Sequence, residues 1–416
     1  MNSISNVDSM AIRRNVKVAS QGEFYQTGMK GMMAAMTSSI DDPTYSIQKS
    51  TQMLEELRRW VEVESPSEDP RAVDRLTDYV ESQLRPLNVR IERVRGIDGA
   101  GDCLIARTEG HGQSVLVCAH LDTVWKKGTL ATVMPFRVIG DRAYGPGIHD
   151  MKAGAVMAVD AFRRIAIDGI VTNRPITLLF TPDEETGSVS SRWLIEQEAL
   201  KAAVVLIPEP ANGQDGACCT GRKGMGIFQV HIRGVAAHAG VAWDQGRSAV
   251  SALAEVIQAI DALVDSGSGI TTNIAPIWGG SQPNIVACDA GCKVDVRVKT
   301  AVDGRRMEQA ILSMAGQRSG IEIEISGGMN RPPMDETDKI LELYEVAREA
   351  ATRAGFDLPK CLRGGVSDGN FTAALGIPTL DGLGCTGGGA HTPDEHIIWV
   401  DLAPRSAVLF DLMCSL

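Results

Sequence analysis

The chain has 416 residues, 44% hydrophobic and 22% charged, with a formal net charge of −11. That composition is ordinary for a soluble globular protein, and the length implies about two or three domains rather than one core. No basic patch accompanies the acidic balance, which argues against a nucleic-acid partner.

Other broad classes are equally disfavoured. No run of about 18 apolar residues is present, so no membrane-spanning helix is expected. The N-terminus lacks the apolar stretch of a secretory leader. The nine cysteines contain no C-x-x-C pair, and several sit in apolar runs such as 115–118. They read as reduced, mostly buried thiols of a cytoplasmic protein.

Residues 1–45 read as an N-terminal extension, polar and without sustained period, closing at Asp42-Pro43. Ser46 is expected to cap a helix carrying Met53, Leu54, Leu57, Trp60 and Val61 at amphipathic spacing. A second helix carries Val73, Leu76, Tyr79, Val80 and Leu84. Strands are expected at 89–94, 103–107 and 114–118, a small-residue helix from Ala153 to about Ile167, and strands at 176–181 and 203–207. Strands alternating with helices predict an α/β fold with a mixed, mainly parallel sheet. From about residue 222 the order changes to β-α-β-β-α-β: strand 227–232, a long helix to Val264, strands near 271–277 and 290–299, a helix near 303–317, and strand 321–325. That order is ferredoxin-like. It predicts an inserted α+β domain at 222–332 inside a discontinuous domain made of 46–221 and 333–416.

The organising stretch is Thr181-Pro-Asp-Glu-Glu-Thr-Gly187, directly after the apolar run 176–180. Adjacent carboxylates repel one another and resist burial, and a divalent cation is the strongest reason to gather them at a strand end. On its own the stretch reads more readily as a solvated acidic turn before a helix. Its partners change that. His120 and Asp122 end one strand region, Asp150 closes a glycine-rich loop, Glu209 follows another strand, and His391 ends a run of glycines. Ligands sit at the carboxyl ends of strands in such sheets. His120, Asp150, Glu185, Glu209 and His391 together suffice for two ions if Asp150 bridges them. Asp122, two residues past His120, is placed to orient the imidazole. Glu184 is left free as a general base.

In this order, His120-Leu-Asp122, Gly145-Pro-Gly-Ile-His-Asp150, Asp183-Glu-Glu-Thr-Gly187, Glu209-Pro210 and His391 resemble the M20 family of metallopeptidases. The branch resembled most is that of glutamate carboxypeptidase and the aminoacylases, over about residues 46–416. The resemblance implies one or two divalent ions per subunit, zinc first, with manganese or cobalt as alternatives. One ion would be held by His120, Asp150 and Glu209, the other by Asp150, Glu185 and His391. It further implies that His238 serves the partner subunit's active site in a homodimer built through the inserted domain. Arg297, Asn284 and Arg331 would contact a free carboxylate of a small substrate. The implied reaction is hydrolysis of a C–N bond in an N-acyl amino acid, dipeptide or amide conjugate. Two departures keep the bond itself open. Ala287-Cys288 stand where the family usually has a proline, and the glycine loop 387–389 is longer than in glutamate carboxypeptidase. Hydrolytic deamination of an amino-aromatic carboxylate is therefore the alternative, and a catalytically dead binding protein the least favoured one.

Overall fold

The computed structural model describes residues 43–416. The predicted N-terminal extension falls almost wholly outside them. The central sheet has six strands in the spatial order Arg90–Val94, Cys103–Arg107, Ile176–Thr181, Ser114–His120, Ala202–Leu206 and Thr379–Leu380. Its last four strands run parallel, and the first two add in antiparallel fashion. Strands 114–120 and 176–181 are buried along their whole length, as the interior of a sheet covered on both faces requires. Helices Pro43–Glu62, Ala153–Ile167 and Leu402–Ser415 pack together on one face around Trp60, Phe162 and Leu409. The mainly parallel α/β architecture expected from the sequence is what the chain adopts.

A second sheet, antiparallel throughout, has the order Thr271–Gly279, Asp289–Val298, Gly224–Arg233, Ile321–Arg331 and Gly316–Arg318. It carries its own hydrophobic cluster, with Phe228, Val230, Leu253, Val294 and Ile311 at the centre. Helices Ala249–Asp261 and Ala301–Leu312 cover it, each capped by a hydroxyl, Ser248 and Thr300.

Several local expectations need correction. The helix expected to start at Ser46 begins at Pro43 among the described residues. Proline suits the first helical turn, where its missing N–H goes unused. The helix expected to reach residue 317 ends at Leu312, and Gly316–Arg318 turns back as an edge strand. The strand expected at 321–325 runs on to Arg331, because Gly224–Arg233 offers a partner over its length. Two pairings went unforeseen. Cys218–Arg222 pairs in parallel with Lys360–Arg363, and Arg142–Tyr144 is joined to Gly387–Gly388 through His396–Ile398.

Candidate active site

His120 is the last residue of its strand and is buried. Its Nδ1 lies 3.0 Å from the Asp122 carbonyl oxygen. A carbonyl can only accept, so Nδ1 carries a proton and Nε2 is the nitrogen left to face a ligand. Nε2 stands 3.3 Å from Asp150 Oδ1 and 3.7 Å from Glu209 Oε1. The other Asp150 oxygen, Oδ2, stands 3.4 Å from His391 Nε2, which lies 3.2 Å from Glu185 Oε2. Asp150 thus divides its two oxygens between two imidazoles that are far apart in sequence.

Asp122 does more than face the His120 ring. Its Oδ1 accepts the Glu184 amide at 3.1 Å, and its Oδ2 accepts the Glu185 amide at 3.2 Å and the Ser67 hydroxyl at 2.6 Å. One carboxylate therefore fixes both a histidine and the acidic turn opposite. Asp183 turns away and accepts the Ser190 amide at 2.6 Å, a structural place at the turn.

The electrostatics call for a cation. Burial pushes Glu209 well above its ordinary value, and the Asp150 charge adds to it. Glu185 is raised for the same two reasons, partly offset by His391. Burial likewise lifts Glu184 to about 8, against the pull of Arg331. Burial opposes charging of His120, yet the Asp122 and Asp150 carboxylates outweigh it and raise the imidazole well above its usual range. Hydrogen bonds to Asp150 and Glu185 lift His391 to about 10. Carboxylates this crowded hold protons on their neighbours until a metal replaces them. Ligand atoms of His120, Asp150 and Glu185 lie within 4.8 Å of one another, so the donor set fits a divalent metal.

The backbone is bent to bring these groups together. His391 has φ +62°, a left-handed conformation that a non-glycine residue rarely holds. Gly147 has φ +68°, and a Cβ there would lie 2.3 Å from Thr123 Cγ2. Only glycine fits that turn ahead of Asp150.

Two anchors escaped the sequence reading. Glu395 is fully buried and accepts the amides of Gly147 at 3.1 Å, His149 at 2.9 Å and Asp150 at 3.1 Å, together with the Trp125 indole at 2.6 Å. Burial lifts its carboxyl to about 7. Asp368 accepts from Thr181 at 3.1 Å, Ser188 at 2.5 Å and Arg331 at 3.2 Å. The only sequence signal for either was an acid beside a glycine run or beside a histidine.

The cluster opens into a cavity of about 1010 Å³, lined on one side by Asp150, Glu184, Glu185, Glu209 and His391 and on another by Met225, Ile227, Arg297 and Met329. The expected carboxylate contacts fare unequally there. Arg331 reaches the cavity but is 1% exposed, and it spends its guanidinium on Glu184 at 2.7 Å and Asp368 at 3.2 Å. Arg297 lines the cavity yet forks onto Asp295 at 2.7 and 2.8 Å. His238 and Asn284 are exposed and do not line it. They sit together on neighbouring loops, where the Asn284 carbonyl accepts the Ala239 amide at 3.0 Å.

A parallel sheet with a two-histidine, multi-carboxylate cluster at its strand ends defines a metallohydrolase site. Residues 116–415 match the model of Peptidase family M20/M25/M40, and the chain belongs to that family. It is a hydrolase acting on carbon–nitrogen bonds. Carboxypeptidase G2 of Pseudomonas sp. strain RS-16 is 29% identical over 358 residues, covering 85% of this chain and 86% of that protein. A tripeptidase structure from Staphylococcus aureus superposes with a TM-score of 0.71 at 20% identity, covering 88% of this chain and 97% of that one. A dinuclear metal-binding M20 peptidase from Bacillus subtilis superposes with a TM-score of 0.60 at 16% identity, covering 88% and 98%. Likeness at that identity speaks to the fold.

Proposed function

We propose that the protein hydrolyses the amide C–N bond of a small substrate bearing a free carboxylate, such as an N-acyl amino acid or dipeptide. The observation that carries this is the Asp150 carboxylate, whose oxygens face His120 at 3.3 Å and His391 at 3.4 Å beside the largely buried Glu184. His120, Asp150 and Glu209 would hold one divalent ion, and Asp150, Glu185 and His391 the other. An ion held there would supply Lewis acidity toward water and the scissile carbonyl.

The chain supplies the rest. Glu184, held near neutrality by burial, takes the proton from the attacking water and returns it to the leaving amine. Asp122 keeps Glu184 in place through the main chain, so the base is aimed by a group that does not react. Arg331 beside Glu184 favours the carboxylate form between proton transfers.

We further take residues 222–332 as a dimerising lid that offers His238 to the partner subunit's site, as an oxyanion donor. Its exposure outside its own cavity supports that reading. The direct test is product analysis with the metal-loaded and the chelator-treated protein. Two organic products that disappear on chelation support amide hydrolysis; ammonia with one organic product would replace it with deamination. Co-expressing His238→Ala with Glu184→Gln tests the lid. Each variant alone is expected to be inactive and the mixed dimer partly active; a mixture as inactive as its parts rules out the shared site.

A further inference from the structure

Arg222, Arg297, Arg331 and Arg363 all line the cavity. Three of them are already neutralised. Arg222 sends its guanidinium to both oxygens of Asp381 at 2.6 and 2.7 Å. Arg297 is forked on Asp295, and Arg331 is sealed between Glu184 and Asp368. Arg297 has its charge already matched by Asp295, although its Nη1 remains beyond that fork. To bind a ligand, Arg331 would have to leave two buried carboxylates without their cation, which is costly.

Arg363 stands apart. Its side chain is exposed to the cavity, and among the described residues its guanidinium makes no ion pair or hydrogen bond. Its place is nonetheless fixed. Strand Lys360–Arg363 pairs in parallel with Cys218–Arg222 and sets Arg363 in register with Arg222. The Arg363 carbonyl also accepts the Lys223 amide at 2.9 Å. Two arginines are thus held on adjacent strands, and of the two only Arg222 is bonded to Asp381. The approach is open, since a Cβ added to Gly364 or Gly365 would meet nothing within 4 Å.

We propose that Arg363, rather than Arg297 or Arg331, receives the free carboxylate of the substrate and so selects N-acyl amino acids over neutral amides. The proposal rests on the amide-hydrolase reading. A guanidinium presents parallel donors that match a carboxylate in bidentate fashion. A cation already in the cavity and not yet neutralised gains most from such a partner.

The test uses two substrates with the same scissile amide, an N-acyl amino acid and the corresponding N-acyl amino alcohol. For Arg363→Ala, KM for the acid is expected to rise about 10- to 100-fold, with kcat within about threefold. KM for the alcohol should be unchanged, Arg363→Lys should recover part of the loss, and Arg297→Ala should change KM for the acid far less. An unchanged KM for the acid, or equal losses on acid and alcohol, would overturn the assignment.

Calorimetry on the metal-loaded protein with an N-benzyl amino acid and its amino alcohol, neither containing an amide, reads binding alone. Wild type is expected to prefer the acid and Arg363→Ala to bind both equally; a preference that survives the substitution overturns the proposal. If wild type cleaves neither amide, the hydrolase reading falls, and the calorimetric comparison still decides Arg363.

Discussion

Two walls meet at the cavity, and they hold their charges differently. Glu209 lines the wall from the mainly parallel sheet, with His120, Asp122 and Asp368 behind it, all buried and each tied to groups distant in sequence. The wall from the antiparallel sheet and strand 360–363 carries Ile227, Arg297 and Arg363, half-buried or exposed, with few bonds beyond their own strands. Polar groups removed from water must be mutually satisfied, and satisfying one fixes the next. Groups at an open surface remain free to accept a ligand. The first wall is therefore suited to chemistry that needs fixed geometry, and the second to recognition.

The largest effect expected from this contrast is on turnover. Glu184→Gln should lower kcat by about 10²- to 10⁴-fold with metal content unchanged, measured by steady-state kinetics and elemental analysis. Activity within tenfold of wild type would remove Glu184 from its role. Arg331→Met should come next. It leaves Glu184 and Asp368 without their buried cation and is expected to cost about 3–5 kcal/mol in urea unfolding. Wild-type stability would mean that Arg331, reaching across from strand Ile321–Arg331, does not lock Glu184 and Asp368 of the first wall.

Glu395→Gln is milder, because the amide keeps one acceptor for three main-chain N–H donors. Metal affinity should fall about 10- to 100-fold in a competition titration, with a stability loss of about 1–3 kcal/mol.

The smallest effect lies on the second wall. The Cys361 thiol is drawn down to about 7, first by its contact with Cys219 at 3.7 Å and then by Arg363 and Arg222. Lowering favours the thiolate, so alkylation of Cys361 by iodoacetamide should rise as pH passes 7, below the range near 8.5 of an ordinary thiol. Peptide mapping reads the rate. A midpoint at the ordinary value would deny that the Cys219 contact and the two arginines together favour the Cys361 thiolate.

Much of the first wall was legible in sequence. Helix Ala153–Ile167 and strand Ile176–Thr181 were foreseen to the residue, since each is an apolar run with clear ends. His120, Asp150, Glu185, Glu209 and His391 stood out because each ends a strand or a glycine run, and the structure brings their side chains together. Glu395 and Asp368 did not stand out, because nothing local marks an acid for burial. The pairing of Cys218–Arg222 with Lys360–Arg363 was invisible for a related reason. Its partners lie far apart in the chain, and neither strand is long or apolar enough to announce itself. Arg363 depends on that pairing, so the second wall was the harder one to read. Arg331 looked free in sequence for the same reason, as its acids arrive from residues 184 and 368.

The grip of Glu395 on the Asp150 loop also bears on how the protein is made. The loop is complete early in synthesis, yet the carboxylate that gathers its amides lies 245 residues further on, close behind His391. A growing chain therefore carries an unfinished donor cluster until His391 and Glu395 have been made. A product cut short before residue 391 would lack both the second imidazole and the clasp.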